Sequence, residues 1–284
     1  MIEFWNAILS ALDSPYAFLW YAALGGCLGS VALGVVGTYV VTRRITGIAG
    51  AVAHCVLGGI GFALYAERVW GWAWLSPVAG AFISALMSAF LIGIIGRNSS
   101  EREDTLIGAL WAIGMALGLV FLAKTPGFVD PMVYLFGNIL LLSADDLQVM
   151  ACLDLGILAI IFAFYHPLLA ICFDEEAAAL RGLPVRGLYG LLLVITALTI
   201  VLMIRVVGTV LVIALLTLPA ATAGQLVHRL WQMMVLGSLI SIACVLLGLS
   251  LSYFWDLPPG PMIGLTAAMV YLMAIVAKKL FRAA

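Results

Sequence analysis

The sequence predicts an all-α polytopic membrane protein of eight to nine transmembrane helices, folded as one domain over residues 1–284. Three observations carry that prediction. Of the 284 residues, 65% are hydrophobic and 10% charged, whereas a soluble domain carries about 25% charged residues. Mean hydropathy is +1.21. The apolar residues fall in runs that match the length a bilayer demands, about 20 residues for a hydrocarbon core about 30 Å thick. Charge gathers in short islands between the runs, and the largest, FDEEAAALRGLPVR over Phe173–Arg186, is flanked by apolar stretches on both sides.

The opening stretch MIEFWNAILSALDSP holds Glu3 and Asp13 and no basic residue. It is a poor cleavable signal peptide and is expected to form an amphipathic helix at the membrane surface. Nine candidate spans follow: Ala17–Val41, Ile45–Tyr65, Leu75–Ile95, Thr105–Ala123, Leu147–Cys172, Leu188–Ile204, Val206–Val227, Leu230–Phe254 and Met262–Ala277. The second is the weakest, because it contains His54 and many glycines. Between the second and third, Glu67, Arg68, Trp70, Trp72 and Trp74 read as an interfacial aromatic belt. The fifth opens after Ser143, Asp145 and Asp146, a helix N-terminus at the membrane surface. It carries Asp154 within and His166-Pro167 near its end. Only Arg205 separates the sixth from the seventh; the doubtful spans, the second among them, are open to being bent, re-entrant or shorter than drawn, which leaves eight spans as the alternative. Small-residue spacings such as Gly25, Cys27 and Gly29, and Gly187 with Gly190, are expected to bring helices close together.

Basic residues set direction, since Lys and Arg accumulate on the cytoplasmic side. With the loop after the first span inside, Arg43, Arg44, Arg97, Arg102, Arg181, Arg186, Arg229, Lys278, Lys279 and Arg282 all face the cytoplasm. Only Arg68, Lys124 and Arg205 then face out. The N-terminus is expected outside, and the C-terminus and the Phe173–Arg186 island inside.

A net charge of -1 argues against nucleic acid as a partner. The cysteines Cys27, Cys55, Cys152, Cys172 and Cys244 are scattered through apolar runs, without a CxxC pair, and read as packing residues. No G-x-x-x-x-G-K-[ST] string occurs, so the chain carries no phosphate-cradling loop of its own. No H-E-x-x-H string occurs either, and the three histidines are far apart. The island itself has an acidic start, an alanine-rich middle and a Gly-Leu-Pro end. Asp174, Glu175 and Glu176 oppose the positive end of a short helix, Ala177, Ala178 and Ala179 favour helix, and Gly182 and Pro184 stop it. It is a handle that a soluble partner can push on.

Four segments, spread over most of the chain, together resemble the metal-ion permease family of bacterial ABC importers. They are VVTRRITGIAGAVAHCVLGGIG (Val40–Gly61), VDPMVYLFGNILLLSADDL (Val129–Leu147), the island with its continuation, and VGTVLVIALLTLPAATA (Val207–Ala223) with YFWDLPPGP (Tyr253–Pro261) downstream. The resemblance implies a homodimer of permeases in the bacterial inner membrane. It also implies two copies of a cytoplasmic ATPase and an extracytoplasmic metal-binding protein that delivers the ion. The chain is then not itself an enzyme and has no resident cofactor. On this resemblance residues 173–186 are the coupling helix, with Asp174, Glu175, Glu176, Ala178, Arg181, Gly182 and Pro184 at the ATPase contact. Asp130 and Asp256, in outer loops beside prolines, either meet the delivering protein or simply form turns. Glu101, Arg102, Glu103 and Asp104 offer a second motor contact or a plain hydrophilic loop.

The family's Gly-Asp-x-x-x-His motif appears here with Gly50 in place of the Asp and His54 in place of the His. An ionisable side chain inside a span is costly and points to a pathway. The candidate pathway residues are His54, Cys55 and Asp154, with helix pairing the competing reading for Asp154. Adjacent helical residues point about 100° apart, so His54 and Cys55 of one chain do not easily share an ion. Imidazole and thiolate suit zinc while carboxylates suit manganese. The missing Asp therefore tilts the expected cargo toward zinc, with manganese and ferrous iron as alternatives. A gradient-driven secondary transporter is the rival class. It calls for mid-membrane relays and repeated halves, and this sequence offers His54, Asp154 and no evident repeat.

Overall fold

The computed structural model describes residues 17–98, 103–127 and 129–283. The predicted surface helix before Ala17, and Glu101 and Arg102 of the polar loop, lie outside the described residues. Eleven α-helices and one 3-10 turn make up the described chain. They are α1 (Ala17–Thr42), α2 (Thr46–Trp70), α3 (Pro77–Asn98), α4 (Glu103–Lys124) and a short α5 (Pro131–Phe136). After the 3-10 turn Ile139–Leu141 come α6 (Ala144–Ala163), α7 (Tyr165–Phe173), α8 (Glu175–Leu180), α9 (Val185–Leu226), α10 (Leu230–Trp255) and α11 (Pro259–Ala283). No strand occurs among the described residues. Among the described residues nine segments are long and apolar enough to cross a membrane, and the protein is a multi-pass membrane protein.

The segment Val185–Leu226 is two helices that meet at a kink; as one straight helix its 42 residues would reach about 63 Å, twice the hydrocarbon thickness. Gly208 resolves this, with φ 80° and ψ 170° in mid-helix. Near the start of α9, Tyr189 lies beside Arg43 at the end of α1. Near its end, Gly224 abuts Met233, and Met233 meets Thr42, again at the end of α1. The helix thus doubles back at Gly208 into two limbs, residues 185–207 and 209–226, each long enough to span. The reversal rests on Gly137, φ 72°, whose backbone faces that of Gly208 with no room for a side chain on either. The sequence reading put the break at Arg205, three residues early; the side chain of Arg205 lies outside the described residues.

The α9 hairpin is the centre of the molecule and packs against α1, α2, α3, α10 and α11. Around α2, α3 lies on one side and α4 on another, while α3 and α4 barely touch, leaving a cavity of about 460 Å³ between them. Close packing relies on small residues, as expected without a hydrophobic force between helices in lipid. Gly58 and Gly61 of α2 meet the backbone at Gly114 and Gly118 of α4, and Gly34 of α1 meets Ser238 of α10. Gly25 and Gly29 do bring neighbours close, but Gly187 and Gly190 face open space; that expected contact is not made within the chain. Several buried hydroxyls bond back one turn, as in Ser30 to Gly26 and Thr196 to Leu192, and so are satisfied without water, whereas the hydroxyls of Tyr39, Thr209 and Ser241 are buried without a partner.

The fifth predicted span is shorter than drawn. It ends at Ala163, and Phe164 (φ -104°, ψ 16°) breaks the chain into α6 and α7. Pro167 follows in the first turn of α7, where a missing N–H is harmless. The entry of α6 is as expected: Ser143 accepts from the Asp146 N–H while the Asp146 carboxylate takes the Ser143 N–H, a closed capping box.

Candidate functional site

The residues singled out by sequence fall into three places. The first is the end of the bundle where α1 stops. Here α8 projects as a short helix. Asp174 is its N-cap, accepting from the Ala177 N–H at 2.9 Å, so it stands just before the helix instead of within it. Glu175 and Glu176 fill the first turn, and Arg181 is the C-cap. Gly182 takes φ 79°, a left-handed conformation that suits glycine. Its N–H donates to the Ala179 carbonyl, the next N–H donates to the Ala178 carbonyl, and Pro184 is the N-cap of α9. Ala178 is buried against the bundle, while Leu180 is 90% exposed and Phe173 is 70% exposed. Two large apolar side chains thus flank a polar knob on its open side. The charge and alanine pattern of this segment marks neither of them.

Arg43 is a second residue that sequence reasoning did not raise above a positional charge. It is half-buried at the end of α1. One guanidinium nitrogen donates to the Ile171 carbonyl at 2.6 Å and another pairs with Glu175 at 3.0 Å. Its plane lies over the Tyr189 ring, 5.5 Å from centroid. Arg43 therefore joins α1, α7, α8 and α9 at one point. Beside it opens a cavity of about 450 Å³ lined by Arg44, Gly47, Ile48, Asp104, Ile107 and others. Asp104 thereby stands on the same side as α8; the rest of its loop lies outside the described residues or has undescribed side chains.

The second place is the middle of α2. His54 is only 4% exposed. Its ring stacks on the Trp111 indole of α4 at 4.5 Å with 24° between planes. Its Nδ1 is buried without a hydrogen-bond partner. Gly50, one turn earlier, is covered by the same indole: a Cβ built there would come within 2.5 Å of the ring. Cys55 points elsewhere, donating from Sγ to the Leu110 carbonyl at 3.3 Å and lining the cavity between α3 and α4. His54 and Cys55 therefore diverge, as the helical spacing requires. Asp154 is also 4% exposed, with Oδ1 unpartnered. It belongs to the stripe Met150, Asp154, Ile157, Ile161 on α6, a helix packed on α1, not on α2. The structure does not bring Asp154 to His54. Among the described residues no three His, Cys, Asp or Glu side chains gather closely enough to hold a metal ion.

The third place is the opposite end of the bundle. Asp130 is the N-cap of α5 and accepts from the Met132 N–H at 2.9 Å. Asp256 closes α10 in the left-handed region, φ 51° and ψ 45°. Both have local turn-forming work. They share one face, because Gly260 at the start of α11 lies against the Phe136 carbonyl at the end of α5. Arg68 reaches across to the Pro126 carbonyl at 2.7 Å on that same side.

Comparison with known proteins adds the following. Residues 15–278 match the ABC 3 transport family. The chain is 36% identical over 278 residues to a probable metal transport system membrane protein of Chlamydia trachomatis, covering 98% of this chain and 94% of that one. It is 34% identical to the manganese transport system membrane protein MntC of Halalkalibacterium halodurans, covering 91% and 87%. Among solved structures it resembles PsaBC from Streptococcus pneumoniae in complex with Fab, with a TM-score of 0.84 and 31% identity over 96% of this chain and 95% of that chain.

Proposed function

The chain belongs to the ABC 3 transport family, and from that premise we propose that it is the permease subunit of an importer carrying a divalent transition-metal ion into the bacterial cytoplasm. It sits in the inner membrane. A separate cytoplasmic ATPase drives it, a binding protein outside delivers the ion, and a second copy of the chain completes the conduit. The N-terminus faces out, and the end bearing α8 and Arg43 faces the cytoplasm, where ATP is found.

The observation that carries the motor half of this reading is α8. A six-residue helix capped at both ends, set between two breaks and exposing Phe173 and Leu180 to water, is poorly explained as a mere connection. Exposed large apolar side chains around a polar knob are the makings of a contact that buries them. Asp174, Glu175, Glu176, Ala178, Arg181, Gly182 and Pro184 shape that knob, and Arg43 ties it to α1. Asp130 and Asp256, on the far end, face the delivering protein.

For the ion, donor chemistry and kinship point differently. His54 offers imidazole with no carboxylate packed beside it, a set that favours zinc over manganese. Relatives such as MntC are named for manganese, and that is the second reading. Co-expression with a candidate ABC ATPase subunit tests the assembly. A stable complex with a nucleotide-hydrolysing subunit is expected. Failure to capture one under conditions that keep the permease monodisperse sinks the motor claim.

A further inference from the structure

We propose that Trp111 is a lid over His54 that also determines which ion His54 can take. The inference rests on the metal-permease reading, and its test separates the two. Helices α2 and α4 run parallel. In their outer half they are in backbone contact through Gly58, Gly61, Gly114 and Gly118. Toward Arg43 the spacing is filled by side chains from α4, Ile107 against Gly47 and Trp111 against Gly50. Gly50 is the complement of the indole: any side chain there collides with it. The space one turn from His54 on α2 is thus occupied by an aromatic face, and no oxygen donor can stand there.

The stacked ring leaves Nδ1 of His54 buried and unpartnered, an arrangement that costs free energy until something binds. On the Arg43 side of Trp111, one turn along α4, Ile107 lines the 450 Å³ cavity together with Gly47 and Ile48. The indole covers one face of the imidazole one turn of α4 beyond a residue that lines that cavity. Trp111 is itself 37% exposed, so it can swing away without disturbing the core. While it is down, His54 is closed to that side. Once it lifts, the donor presented is a lone imidazole from this chain, which suits zinc better than manganese.

The test uses the purified full-length chain in nanodiscs, with diethyl pyrocarbonate modification of each histidine followed by mass spectrometry. His166 and His228 serve as internal references. In wild type, His54 should react slowly. In Trp111→Ala and Trp111→Leu, the latter filling volume without stacking, it should react at least tenfold faster while His228 is unchanged. Equal His54 rates in all three proteins overturn the lid. In Trp111→Ala, zinc ions should protect His54 at concentrations where manganese ions do not, and Gly50→Asp combined with Trp111→Ala should extend protection to manganese. Equal protection by both ions in Trp111→Ala overturns the selectivity. A lid that opens with protection by neither ion overturns the selectivity together with the metal reading, and leaves the steric lid standing.

Discussion

At Gly208 the backbone adopts φ 80° and ψ 170° at the kink between two helices, a region essentially closed to residues with a side chain. Gly208→Ala should cost about 1–3 kcal/mol from backbone strain alone, with more from collision with the Gly137 backbone. The yield of monodisperse protein in fluorescence-detected size-exclusion should fall sharply, whereas Gly187→Ala, in open space, should be neutral. The same scale shows where a sequence is legible. His54 stands out in its run because an ionisable group in a span has few reasons to be there. Trp111 does not, since a tryptophan in an apolar helix is unremarkable until the fold sets it on Gly50 and His54. Asp154 met the same criterion as His54, yet its stripe faces α1, and only packing could separate the two. The hairpin was half-visible: Arg205 marked an interruption, but the turning residue was one glycine among 29.

Among the elements, α8 was the most readable, because its caps are local chemistry. Asp174, Gly182 and Pro184 are neighbours in sequence, and no distant residue is needed to place them. The exposure of Phe173 and Leu180 depends on how α7 and α9 leave the bundle, and so was not readable. Two predictions belong here. Leu180→Asp should abolish ATPase co-purification while leaving expression and thermal stability of the permease unchanged, since a side chain 90% exposed contributes little to the fold. Arg43→Ala should behave differently. It removes charge-assisted contacts to Ile171 and Glu175 worth about 1.5–3 kcal/mol each at most, reduced for the partly exposed Glu175. A lowered melting temperature in detergent is expected along with impaired transport, and Arg43→Lys should recover part of both. A melting temperature unchanged by Arg43→Ala would remove Arg43 as the joint between α8 and the bundle.

Over the whole molecule, the proposed function assigns three tasks to three separate positions. One end carries α8 and Arg43, the other carries Asp130 and Asp256, and His54 lies between them under Trp111. The composition made the spanning helices legible, and the distribution of Lys and Arg suggested which way they run. Orientation can be measured directly. A cysteine placed at Glu176 in a background lacking the native cysteines should be labelled by membrane-impermeant maleimide only in inverted vesicles, and one at Asp130 only in intact cells. The opposite pattern would leave α8 out of reach of any cytoplasmic motor. The most direct test of the central claim is ATP-driven uptake of radioactive zinc by proteoliposomes containing the permease, its ATPase and the binding protein, compared with the same assembly carrying Leu180→Asp. Uptake should require ATP and the ATPase, and should fall to background in the variant; undiminished uptake in the variant, or uptake without the ATPase, would contradict the account.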